Sequence, residues 1–128
     1  MKLATGVDMV VITRVEQILA RYNDRFLSRV YTQAEITFSR GRPAELAARF
    51  AAKEAVSKAL GVGMRVMSST GIGWLDVETL NYRSGQPYVV LHGRAQELAE
   101  GLGLDTWSIS LSHDGDMAVA FVVAAGSG

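Results

Sequence analysis

The chain has 128 residues, with thirteen basic and thirteen acidic side chains, two histidines and no cysteine. That length suffices for one hydrophobic core, and apolar residues spread along the whole chain exclude an intrinsically disordered segment. Zero net charge removes the overall attraction on which non-specific binding to nucleic acid or an anionic membrane rests, and the lack of cysteine excludes disulfide scaffolds, thiolate zinc sites and cysteine nucleophiles.

Leu3 to Ile12 reads as a strand rich in β-branched residues, interrupted by Gly6 and carrying one acid, Asp8. The stretch before Asp8 is too short for a signal peptide and no run reaches membrane-spanning length, so a soluble cytoplasmic protein is the expectation. Thr13 and Glu16 have capping-box spacing ahead of an apolar stripe of Val15, Ile18, Leu19 and Tyr22, which starts a helix near Thr13. Phe26 to Tyr31 continues helically, and Thr32 with Glu35 offers a second capping box, so this region reads as two short helices. Pro43 in a first-turn position, an Ala-rich run from Ala44 to Leu60 and a left-handed stop at Gly61 mark the longest helix.

Val62 to Gly73 has no periodicity and reads as a loop free to move. Trp74 to Asn81 and Tyr88 to Leu91 read as strands joined by a turn through Ser84, Gly85, Gln86 and Pro87. Arg94 to Glu100 is a short helix closed by Gly101 or Gly103. Trp107, Ile109 and Leu111 alternate with serines, and Asp114 with Gly115 turns the chain into Met117 to Ala124, a terminal hairpin. Gly126 to Gly128 reads as a flexible end. With helices early, strands late and no repeat or linker, the class is α+β in a single domain over residues 1–125, its helices packed on a mainly antiparallel sheet.

Four groups of residues invite chemistry. Asp8 sits among Val7, Met9, Val10, Val11 and Ile12, where a carboxylate needs a positive partner: a metal ion, an arginine, or water at the strand end. Glu54 and Lys58 are four apart on the long helix, on the side that also carries Ala47, Phe50, Ala51 and Ala55. They read either as an ordinary helical ion pair or as partly buried charges suited to metal and phosphate, since two carboxylates leave open positions on magnesium for phosphate oxygens. Arg14, Arg21 and Arg25, at spacings of seven and four, form one basic face if the first helix continues, either solvated or meeting an acidic partner. His113 stands beside a tight turn, where it is solvated or in reach of a phosphate; His92 offers less. No Walker loop, dinucleotide-binding glycine fingerprint or Gly-x-Ser-x-Gly elbow is present.

Four anchors occur in order: Gly6-Val7-Asp8 followed by Arg14; Arg49-Phe50-Ala51-Ala52-Lys53-Glu54-Ala55-Val56-Ser57-Lys58-Ala59-Leu60-Gly61; Gly85-Gln86-Pro87; and Ser110-Leu111-Ser112-His113-Asp114. Together they resemble the holo-acyl-carrier-protein synthases, the small stand-alone 4'-phosphopantetheinyl transferases, over Leu3 to Val123. The resemblance implies that the chain moves phosphopantetheine from coenzyme A to a serine of an acyl carrier protein, in fatty acid biosynthesis. It implies that Asp8 and Glu54 hold magnesium beside the pyrophosphate with Lys58 close by, and that Arg49, Gly85, Pro87 and His113 bind the nucleotide. It gives Arg14, Arg21 and Arg25 the carrier protein as partner, and it implies a homotrimer with active sites between subunits. Gln86 stands where the family commonly has lysine. The general base stays open between Glu54 acting through a water and a water positioned by other groups; the alternative readings are a transferase serving polyketide or peptide-synthase carriers and a non-catalytic module that binds a nucleotide or an acidic partner.

Overall fold

Pro43 and a left-handed Gly61 bound the longest helix of the chain, as expected from its helix-start and helix-stop residues. The computed structural model describes residues 1–66 and 68–127, so Met67 of the expected loop and Gly128 of the expected flexible end lie outside the described residues. In chain order the elements are β1 (Lys2–Val11), α1 (Ile12–Tyr22), α2 (Asp24–Val30), α3 (Gln33–Ser39), α4 (Pro43–Leu60), a 3-10 turn (Trp74–Asp76), β2 (Val77–Asn81), β3 (Pro87–Leu91), α5 (Gly93–Gly101), β4 (Thr106–Asp114) and β5 (Met117–Gly126). β5 lies between β1 and β4 in one antiparallel sheet, and β2 with β3 forms a separate antiparallel hairpin. This is the expected α+β architecture.

α4 crosses the three-stranded sheet and is buried on nearly every side. Its alanines let it seat closely: Ala51, Ala52 and Ala55 are fully buried against strand residues such as Ala120, Val122 and Ala124. Burying each larger aliphatic side chain, such as Val56 or Ile72, stabilises the fold by about 1.5–3 kcal/mol. β1 passes closest of all. A Cβ on Gly6 would stand 1.9 Å from the Ala55 carbonyl oxygen, so only glycine fits there. Gly6 does not interrupt the strand; it pairs with Val122 and lets β1 lie against α4.

Two fully buried charges tie the helices to the hairpin. Lys53 Nζ donates to Glu35 Oε1 at 2.8 Å, to the Trp74 carbonyl at 3.0 Å and to the Val77 carbonyl. Glu35 also accepts from the Thr32 and Thr79 N–H groups, so α3, α4 and β2 meet in one satisfied network. The Thr32–Glu35 capping box forms as expected.

Several local expectations are corrected. Thr13 and Glu16 form no capping box: the first turn of α1 is held by Asp116, whose carboxylate accepts from Thr13 N–H at 2.9 Å and Thr13 Oγ1 at 2.6 Å. The first helix does not continue to Arg25, because Asn23 adopts φ 42° and ends it at Tyr22. Trp74–Asp76 is a 3-10 turn and not strand, since Asp76 caps it by accepting from Gly73 N–H. Gly126 is the last residue of β5, paired with Lys2, and so belongs to the sheet instead of the expected flexible end. The described residues on either side of Met67 in the expected loop are tied to the core: Met64 and Ile72 are buried and bridged, and Arg94 donates to the Thr70 and Gly71 carbonyls.

Candidate active site

The close pass of β1 over α4 brings three of the expected residues together. Asp8, on β1, accepts from Lys58 Nζ at 3.0 Å, and Lys58 also donates to the Val7 carbonyl at 3.0 Å. Asp8 is largely shielded while the Lys58 side chain remains half exposed. Glu54, one turn before Lys58 on α4, lines a cavity of about 260 Å³ with Asp8, Arg14, Phe26 and Phe50. Its carboxyl is held above the ordinary carboxylate range, first by burial and then by the Asp8 charge, with Lys58 acting in the opposite sense.

A second carboxylate beside Glu54, whose charge adds to the effect of burial there, creates demand for a cation at this open cavity. Among the described residues no group of three metal-ligating side chains exists. A site with only two carboxylates suits magnesium, which keeps several positions for water and phosphate, better than zinc, which favours three or four nitrogen or sulfur donors, or calcium, which gathers more oxygen donors. The donor set therefore fits the metal that the resemblance implies.

A second cavity, also of about 260 Å³, collects Arg49, Gly85, Pro87 and His113. These four residues come from α4, the β2–β3 turn, β3 and β4, and nothing in local sequence brings them together. Gly85 has φ 97°, a conformation that selects glycine at this turn. Arg49 is fully buried: its Nη1 donates to Glu45 Oε1 at 2.8 Å, its Nη2 donates to Asn81 Oδ1, and its guanidinium carbon lies 4.4 Å from the Phe38 ring centroid. Burial pulls the Arg49 pKa below the usual guanidinium value, while Glu45 opposes the shift by salt bridge and hydrogen bond. His113 is exposed at the end of β4. His92, by contrast, is held by Glu78 at 3.0 Å at the start of α5, outside both cavities.

The two cavities share α4 but not a face of it. At about 100° per residue, Glu54 projects about 140° and Lys58 about 180° around the axis from Arg49. One chain thus presents two separate cavities on different faces of α4.

The three arginines fall on two helices. Arg14 and Arg21 lie on α1, Arg14 bordering the Asp8–Glu54 cavity and Arg21 stacking on Tyr22 at 5.4 Å. Arg25 lies on α2 and lines a wider groove of about 550 Å³ with Tyr22, Phe26, Ser28 and Arg29. Arg29, which sequence reading did not single out, is four residues after Arg25 on the same helix, the spacing that could have revealed it. Glu45 and Asn81 were also missed: Glu45 precedes Arg49 by four residues on α4, a spacing that could have revealed it, whereas the role of Asn81 appears only once α4 and β2 are packed side by side.

The profile of the 4'-phosphopantetheinyl transferase superfamily matches residues 4–122. The chain is 47% identical over 126 residues to a holo-[acyl-carrier-protein] synthase of Herpetosiphon aurantiacus, covering 97% of this chain and 99% of that one. Among solved structures it is similar to the Helicobacter pylori holo-[acyl-carrier-protein] synthase in complex with coenzyme A, with TM-score 0.83 and 31% identity over 94% of this chain and 99% of the other. It is likewise similar to the Chronobacterium ammoniagenes ACPS–CoA complex, with TM-score 0.83 and 28% identity over the whole of both chains.

Proposed function

The chain belongs to the 4'-phosphopantetheinyl transferase superfamily, and from that membership we propose that it transfers 4'-phosphopantetheine from coenzyme A to a serine of apo acyl carrier protein. The products are holo acyl carrier protein and 3',5'-ADP. The observation that carries the reading is the meeting of Asp8, Glu54 and Lys58 where β1 crosses α4.

In this reading Asp8 and Glu54 hold magnesium, which when bound neutralises phosphate charge and makes phosphorus more electrophilic. Lys58, anchored by Asp8 and the Val7 carbonyl, keeps an ammonium beside the pyrophosphate. As the carrier serine gives up its proton and its oxygen bonds to the β-phosphorus, negative charge builds on the phosphate oxygens, and Lys58 stabilises it. The bond from that phosphorus to the bridging oxygen breaks, and 3',5'-ADP leaves. Arg49 and His113 supply positive or hydrogen-bonding groups for the nucleotide, and the Gly85–Pro87 turn brings backbone close to it. Gln86 offers an uncharged amide where a lysine would add charge. Arg14, Arg21 and Arg25, with Arg29, meet the acidic face of the carrier.

The proposal includes a homotrimer. Alternate residues of β1 leave an apolar face uncovered: Leu3 is 64% exposed, Val7 49% and Met9 61%, and Phe121, paired with Val7, is 44% exposed. A monomer rarely leaves such a face open. The two cavities on different faces of α4 support the same view, because a second copy would bring its Arg49 cavity to the Asp8–Glu54–Lys58 group. Among the described residues no helix is long and apolar enough to cross a membrane. We place the activity in the cytoplasm, serving fatty acid biosynthesis.

The test is chromatographic detection of 3',5'-ADP. It is expected to form only when coenzyme A, apo carrier protein and magnesium are all present and to stop on chelation; release without carrier, or none with it, would refute the reading.

A further inference from the structure

Asn81 is the last residue of β2, opposite Pro87. Both ends of its side-chain amide are engaged: Oδ1 accepts from Arg49 Nη2, and Nδ2 donates to the Gly85 carbonyl at 2.9 Å. The β2–β3 turn does not need that second bond to close. Its own backbone does so, with Tyr82 N–H donating to the Gln86 carbonyl at 2.9 Å and Gly85 N–H to the Tyr82 carbonyl at 2.8 Å. Arg49 is not fully fixed by its own helix either. Glu45 restrains Nη1 along α4, but Nε is buried without a partner. Among the described residues, Asn81 is the one hydrogen-bonding anchor that reaches the guanidinium from outside α4.

We propose that Asn81 is a positioning residue for the nucleotide half of coenzyme A, locking the Arg49 guanidinium and the Gly85 turn into one pre-oriented surface. The inference rests on the reading of this cavity as the nucleotide site. The two tasks need a side chain that accepts and donates at once, and an amide does so from two separate atoms. A carboxylate could not donate to the Gly85 carbonyl, and an ammonium could not accept from Arg49. Holding both elements before the ligand arrives removes ordering that binding would otherwise have to impose.

Asn81→Leu keeps most of the volume and loses both bonds. By calorimetry its affinity for 3',5'-ADP is expected to fall about tenfold, as for one lost hydrogen bond to a charged group. The KM for coenzyme A is expected to rise by a similar factor, kcat to change less, and the KM for apo carrier protein to stay the same. In an Arg49→Met background the same change should lower 3',5'-ADP affinity clearly less, because its route through Arg49 is gone and only the bond to Gly85 remains to be lost. If the wild-type protein binds no 3',5'-ADP, the nucleotide reading falls and this inference with it. If wild type binds and Asn81→Leu binds equally well, the inference alone is overturned. Should Asn81→Leu also lower the Tm, the double substitution decides: full additivity with Arg49→Met overturns the positioning role.

Discussion

Glu54 carries the sharpest consequence at the scale of a single residue. Its carboxyl takes a proton more readily in the folded protein than the ordinary value of 4.5 allows, through burial and the Asp8 charge. The folded state therefore binds more protons at this position than the unfolded chain, and ionising Glu54 lowers stability. That cost is absent well below pH 4.5, grows as pH rises through the raised pKa, and is complete above it. In chelator, Glu54→Gln is expected to melt higher than wild type near pH 7 and to lose that advantage near pH 4. The same variant is expected to lose transfer by at least about a hundredfold, as when a group stabilising transition-state charge is removed. A folded Glu54→Gln with wild-type turnover would remove the carboxylate from the metal site.

At the scale of elements, the contact between β1 and α4 decides whether the site exists. Gly6→Ala forces a methyl into the Ala55 carbonyl, and relief by moving the strand is expected to cost about 1–3 kcal/mol. Because Asp8 moves with β1, transfer should fall further than the melting loss explains; a variant that melts lower yet transfers normally would separate the strand from the chemistry. The Lys53–Glu35 pair makes a different prediction. Lys53→Met strands a buried carboxylate and is expected to cost about 3–5 kcal/mol by urea denaturation, whereas a loss below about 1 kcal/mol would mean Glu35 is neutral or solvated. These features also explain what was legible in the sequence. The Thr32–Glu35 box and the Pro43 and Gly61 boundaries could be read because each signal acts over one helical turn. Asp116 could not be read as the cap of α1, since it lies 103 residues from Thr13 and arrives only when β4 and β5 fold back. Asp8 and Lys58, 50 residues apart, looked like separate weak signals until the glycine between strand and helix was seen to join them. Their roles were reached by resemblance, and Asn81 and Glu45, outside the quoted anchors, were not reached at all.

At the scale of the whole molecule, the uncovered sheet face and the divided site lead to the same expectation. Phe121→Glu places charge at the centre of that face, opposite Val7, and is expected to turn a trimer into monomers by light scattering, with transfer lost and the monomer still folded. An active Phe121→Glu monomer would show that one chain contains a complete site. On the proposed reading the basic groove acts on the partner alone: Arg25→Glu or Arg29→Glu is expected to raise the KM for carrier protein about tenfold or more while leaving 3',5'-ADP affinity unchanged. Equal kinetics with wild type would take the groove out of carrier recognition.

The central claim is tested most directly by intact-mass spectrometry of an apo acyl carrier protein incubated with this protein, coenzyme A and magnesium, beside a carrier whose acceptor serine is replaced by alanine. A phosphopantetheine-sized gain on the first carrier alone, abolished by chelator, is the expected result. No gain on any apo carrier, or an equal gain on the serine-less one, would contradict it.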